Sequence, residues 1–218
     1  LQPRRARFDD DGDPGRKPSP ADIRATLAAV LSDPRLRALA LACFAFVGLQ
    51  AAFSNFLVLS LTEGLGYDLT TAGSIFALAM AVAVPARILW GWVGSRYTTP
   101  RRLLALLGLV MGAAAIAGAF FTPAWPLPAV AAVAMLLSAT AVSWHGVLLA
   151  EVARLAPPGR VGATTGGVLS FGDMGSAAMP LLFGAILAAT GSYGWGFAAA
   201  ALAPLAAGLT LLGRGGRR

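Results

Sequence analysis

Arg87 is the one Lys or Arg of this 218-residue chain that lies inside an apolar stretch long enough to cross a bilayer. Its planar guanidinium suits a carboxylate or another anion, which makes it a candidate substrate contact. A structural role stands beside that one: the side chain could snorkel, or tether its helix to a neighbour's carbonyl end. Gln50, Asn55, His145 and Asp173 also fall inside apolar stretches. Ionisable groups in hydrocarbon are costly and normally face protein or water. Gln50 and Asn55 could hydrogen-bond a substrate or another helix. Burial would favour the protonated form of Asp173 and let it carry a proton, with an ion pair or carbonyl bond as the structural alternative. Gly172, Gly175 and Ser176 around it are expected to leave room for water or substrate. His145 could relay protons, but beside Trp144 it reads as a packing histidine.

No nucleophile-and-base set, Walker loop, dinucleotide fingerprint or zinc spacing is present. The single cysteine, Cys43, allows neither a disulfide nor a metal cluster within the chain, and reads as a small buried residue. An enzyme is therefore not expected, nor a metal or cofactor. The net charge of +7 is spread over short connections, with no basic helix face and no stacking aromatics, so nucleic acid is not an expected partner. Basic connections facing anionic lipid account for the charge.

Composition points to the bilayer as the solvent. The chain is 57% hydrophobic and 12% charged. Six apolar stretches, at about 38–61, 69–93, 103–121, 127–150, 161–189 and 195–212, approach the roughly 20 residues that a spanning helix needs. Backbone groups in lipid must be satisfied internally, and the pattern is continuous rather than alternating, so helices are expected and a β-barrel is not. The expected fold is an all-α six-helix membrane bundle over 37–213. It is preceded by a linker at 1–36 that ends in a short surface helix, and followed by a basic tail at 214–218. Ser19, Pro20 and Asp22 form the start signal of that helix, and Asp33-Pro34 breaks it. Gly108 and Gly112, and Gly162 and Gly166, are spaced for close helix approach. Pro85, Pro180 and Pro204 are expected kinks.

Charge sets the expected topology. The connections at 63–68, 122–126 and 191–195 carry no Lys or Arg, while Arg96, Arg101, Arg102, Arg154, Arg160 and the basic residues of both ends fall on the other side. Both termini are then cytoplasmic. Glu151 and Arg154 should form a local pair at a helix end. The chain begins at Leu1 without Met and reads as a piece of a longer protein or a product of processing.

Gly91, Gly94, Arg96, Arg101 and Arg102 resemble the loop signature of the major facilitator superfamily, with Ser95 where the signature has an acid. The segments from Gly146 to Glu151 and from Gly159 to Gly166 are similar to the join of helices ten and eleven in bacterial members. Asp33 to Arg37 resembles the approach to helix seven. Together these cover the chain from about Pro20 to the end. The resemblance implies a carboxyl-terminal half, helices seven to twelve, in which seven, eight, ten and eleven line a cavity. It implies a gating role for the 91–102 region and the amino-terminal six-helix half as partner. It also implies secondary transport of a small solute by alternating access across a bacterial inner membrane. Proton coupling through Asp173, with His145 as a second candidate, and a small organic anion held by Arg87, Gln50 and Asn55 complete the expectation. Efflux of amphipathic compounds and a non-transporting membrane scaffold or sensor are the alternatives.

Overall fold

The computed structural model describes residues 19–213. The expected linker residues 1–18 and the tail 214–218 lie outside them. Helices α1 (Pro20–Ser32), α2 (Pro34–Leu59), α3 (Leu69–Arg96), α4 (Pro100–Ala119), α5 (Leu127–Ala141), α6 (His145–Leu155), α7 (Val161–Thr190) and α8 (Tyr193–Gly213) follow one another, with no strand among the described residues. Six helical segments are long and apolar enough to span a membrane: Pro34–Gly64, Leu69–Arg96, Pro100–Ala119, Leu127–Leu155, Val161–Thr190 and Tyr193–Gly213. The all-α six-span architecture is the one expected.

Local signals explain the boundaries. Ser19 and Asp22 close a reciprocal capping box on α1. Asp33 then ends α1 and caps α2, with Pro34 at the first turn. Asp68 caps α3 from solvent, where the hydroxyl and amide of Thr71 hold its carboxyl below the usual carboxylate range. Thr99 caps α4 ahead of Pro100. Gly191 ends α7 in the left-handed region at φ 66°, where a side chain would be strained. One feature has no sequence forewarning: α2 finishes in a π-helical turn, Ser60–Gly64.

Helix α2 is the centre of the bundle and packs along α7, while α4 packs along α8 and α3 along α5. Small residues set the closeness. A Cβ on Gly175 would run into the backbone carbonyl of Phe44, and one on Gly112 would come within 2.5 Å of Leu205 Cγ. Gly108 and Gly112 thus make the expected close contact. Gly162 and Gly166 do not, since both face open space. Gly172 and Gly175 are also corrected: they are buried against Cys43, Phe44 and Val47 of α2 and leave no room for water or substrate. Cys43 is fully buried, as expected.

The ends of the bundle sort by charge. The Tyr193 hydroxyl donates to the Glu63 carboxylate, and Gly194 packs on the Ala119 carbonyl, which gathers the three connections without Lys or Arg at one end. At the other end Arg101 Nε donates to the Leu211 carbonyl at 3.1 Å, and α1 lies against α2 and α7. Glu151 and Arg154 form the expected pair, with contacts of 2.6 and 2.9 Å.

Candidate functional site at a broken helix

The fourth span is not continuous. Helix α5 stops at Ala141, residues 142–144 turn, and α6 restarts at His145. Such a break frees backbone carbonyls that hydrocarbon cannot solvate. Side chains take three of them. Trp90 Nε1 donates to the Ala139 carbonyl at 2.7 Å, Trp144 Nε1 to Ala141 at 2.8 Å, and Arg87 Nη2 to Val142 at 3.1 Å. Ser143 Oγ returns a bond to the Ala83 carbonyl at 2.9 Å. Helix α3 therefore grips the break over two turns. The sequence carries a signal for it, since Ser143, Trp144 and His145 place three hydrogen-bonding side chains consecutively in an apolar run.

Arg87 itself is exposed on α3. A guanidinium has five N–H donors, and Val142 takes one of them. Among the described residues the other donors make no hydrogen bond. His145 stacks on Trp144 with centroids 4.0 Å apart, and Trp144 meets Phe46 edge-on at 5.4 Å. The stacking accords with a packing histidine, but among the described residues its buried Nδ1 has no hydrogen-bond partner. Gln50 is half-buried on α2, and its Oε1 likewise has no partner among the described residues.

Asp173 is exposed on α7 rather than enclosed by the bundle. Among the described residues its carboxylate makes no hydrogen bond or ion pair; only its backbone carbonyl is engaged, by Ser176 Oγ at 2.8 Å. Asn55 is exposed on α2. Arg87 and His145 flank one break, whereas Asp173 sits on the helix paired with α2, and no bond joins it to Arg87. The 91–102 region is mostly helix. Gly91, Gly94 and Arg96 lie in the last turns of α3, Arg101 and Arg102 in the first turn of α4, and only residues 97–99 connect them. Arg101 is spent on the end of α8.

The spans carrying Arg87 and Asp173 are the least enclosed. Only 28% of the α3 window and 22% of the α7 window is buried, against 67% for the first span.

The family model described as Major Facilitator Superfamily matches residues 4–151 and 39–216. The chain belongs to the major facilitator superfamily. The six helices make it a multi-pass membrane protein of that superfamily. It is 35% identical over 136 residues to the "Probable nitrate/nitrite transporter NarK2" of Mycobacterium tuberculosis, in both strain CDC 1551 and strain H37Rv. That match covers 62% of this chain and 33% of the relative. The fold resembles the crystal structure of the E. coli fucose:proton symporter FucP, with a TM-score of 0.73 and 19% identity, over 89% of this chain and 46% of that one. The chain thus spans less than half the length of these superfamily members.

Proposed function

We propose that this chain is the carboxyl-terminal six-helix half of a secondary transporter that moves a small anion by alternating access. The observation that carries the reading is Arg87: it is anchored by one donor to the carbonyl of Val142, makes no other hydrogen bond among the described residues, and lies exposed on one of the two least enclosed spans. An arginine pre-oriented in this way binds an anion at lower entropic cost than a free side chain. The first substrate class is a small oxyanion, for which nitrate and nitrite are the natural candidates because the mycobacterial relative is named for them. An organic carboxylate is the second. Gln50 and Asn55 on α2 would add polar contacts.

Proton coupling is assigned to Asp173, a carboxylate without a partner among the described residues on the other open helix. The amino-terminal half would cover the open faces of α3 and α7, since these spans leave most of their surface unburied. A site between two rocking halves is the arrangement that secondary transporters use. In this reading the basic end of the bundle is cytoplasmic and the membrane is the bacterial inner membrane.

The test is uptake by the full-length protein in proteoliposomes. Arg87→Lys keeps the charge but loses the planar fork. It should weaken substrate affinity by about tenfold or more, the size of one charge-assisted hydrogen bond, at unchanged protein abundance. Normal affinity in Arg87→Lys and Arg87→Gln, with poor insertion of both, would make Arg87 structural and remove the basis for the anion reading.

A further inference from the structure

At the basic end of the bundle, α1, the start of α2, the end of α6 and the start of α7 enclose a cleft of about 140 Å³. Its polar lining is Thr26, Asp33, Arg160 and Thr164, with Val30, Leu36 and Leu155 among the apolar residues. Asp33 and Arg160 line one cleft with opposite charges, yet no ion pair or hydrogen bond joins them. Asp33 Oδ1 is occupied by the backbone amides of Arg35 and Leu36, at 2.6 and 3.2 Å, whereas Oδ2 accepts no bond among the described residues.

Arg160 is the cap residue of α7 and gives that helix no side-chain cap. The amides of residues 161–163 are therefore free of capping, while the Thr164 amide already bonds the Arg160 carbonyl. Thr164 supplies the second observation. It is only 7% exposed, it lines the cleft, and its hydroxyl has no hydrogen-bond partner among the described residues. That hydroxyl, with one donor and free acceptor capacity, is available to a ligand in the cleft. Thr26 does not bond it, because its hydroxyl is committed to the Asp22 carbonyl at 2.9 Å.

The geometry points to a binding site for a zwitterionic phosphate ester with a primary ammonium, the chemistry of a phosphoethanolamine head. The phosphate sits at the α7 N-terminus against Arg160 and the Thr164 hydroxyl, where backbone N–H groups and the helix dipole favour an anion. The ammonium donates to Asp33 Oδ2. Ile23 and Leu31 on α1, 50% and 40% exposed, are placed to meet acyl chains if the head belongs to a lipid. The cleft is too small for a drug-sized ligand. This site is independent of the transport reading and lies on residues which that reading does not use.

The experiment is thermal unfolding of the purified full-length protein in detergent, titrated with short-chain phosphatidylethanolamine, phosphatidylcholine, phosphatidylglycerol or soluble glycerophosphoethanolamine. Phosphatidylcholine carries no ammonium N–H and phosphatidylglycerol no ammonium. Phosphatidylethanolamine should raise the midpoint at a concentration about tenfold below either. Asp33→Asn keeps the helix cap, since Asn caps as well as Asp, and should erase the preference for ethanolamine over choline. Arg160→Gln, which leaves the helices intact, should weaken phosphatidylethanolamine about tenfold. A shift with glycerophosphoethanolamine alone would identify a soluble source; a shift only with the diacyl compound would identify the membrane. Equal shifts by all three lipids, or an unchanged ethanolamine preference in both variants, would overturn the site.

Discussion

Arg87 Nη2 lies 3.1 Å from the carbonyl of Val142, the residue at which α5 has just ended. The bond joins a side chain on the second span to a backbone group that exists as a free acceptor only because the fourth span is interrupted. A structural role for Arg87 and the substrate contact proposed for it are thus compatible in one arrangement. The carbonyl fixes the guanidinium, and the guanidinium satisfies the carbonyl.

Trp90 offers the cleaner measure of that grip, because its indole N–H bonds the Ala139 carbonyl at 2.7 Å and carries no charge. Trp90→Phe keeps an aromatic ring and deletes the donor. Interhelical hydrogen bonds in membranes average about 0.6 kcal/mol and reach about 1.7 kcal/mol. The freed carbonyl sits in an interrupted helix, so the loss should fall in the upper part of that range. Denaturant unfolding in mixed micelles would read it. An unchanged unfolding midpoint would mean that water or another group replaces the indole.

The six spans, the capping box at Ser19 and the Glu151–Arg154 pair were legible in the sequence, the first from hydropathy and the other two because they rest on contacts within a few residues. The break at 142–144 was not read from it, since hydropathy runs unbroken through the fourth span, and the four side-chain bonds that make the interruption tolerable come from packing against α3 or from the turn itself. Glycine spacing was half informative. It marks where a helix could approach another, but Gly162 shows that the partner must also be there. The neighbours of Asp173 misled for the same reason: Gly172 and Gly175 are buried toward α2, while Asp173 is exposed. Carbonyl partners, helix faces and cavities are set by packing between segments far apart in the chain, which spacing along one helix does not encode.

Gly175 and Gly162 should therefore separate sharply. Gly175→Ala drives a methyl into the Phe44 backbone carbonyl, which cannot swing away as a side-chain end could. Overpacking of this kind costs about 1–3 kcal/mol or more, and the yield of folded protein by gel filtration should fall steeply. Gly162→Ala meets nothing within 4 Å and should leave the yield unchanged or slightly raised, since Ala is the better helix former. Similar yields for the two variants would contradict the α2–α7 interface.

Orientation can be checked directly. Removing Cys43 and placing single cysteines at Gly66, Pro123 and Ser192 should give sites that react with an impermeant thiol reagent added outside intact cells. The three connections gather at one end of the bundle and carry no Lys or Arg. A cysteine at Arg102 should stay unlabelled until the cells are opened. Labelling of position 102 from outside, with silence at the other three, would invert the assignment.

Asp173 carries the coupling assignment, and its surroundings define what must be seen. Asp173 is exposed on α7, and its carboxylate makes no hydrogen bond or ion pair among the described residues. A carboxyl that passes between water and a dry interface gains and loses a proton as the charged form becomes affordable or not. Rocking of two halves around a central site would impose that alternation. Asp173→Asn fixes the neutral state with nearly the same shape. In proteoliposomes containing the full-length protein, it should retain substrate binding and substrate exchange. It should lose uphill accumulation when a proton gradient is the only energy source. An Asn variant that still concentrates substrate would exclude Asp173 as the proton carrier. Loss of exchange together with accumulation would instead place Asp173 in contact with the substrate or in the structure of the half-to-half interface.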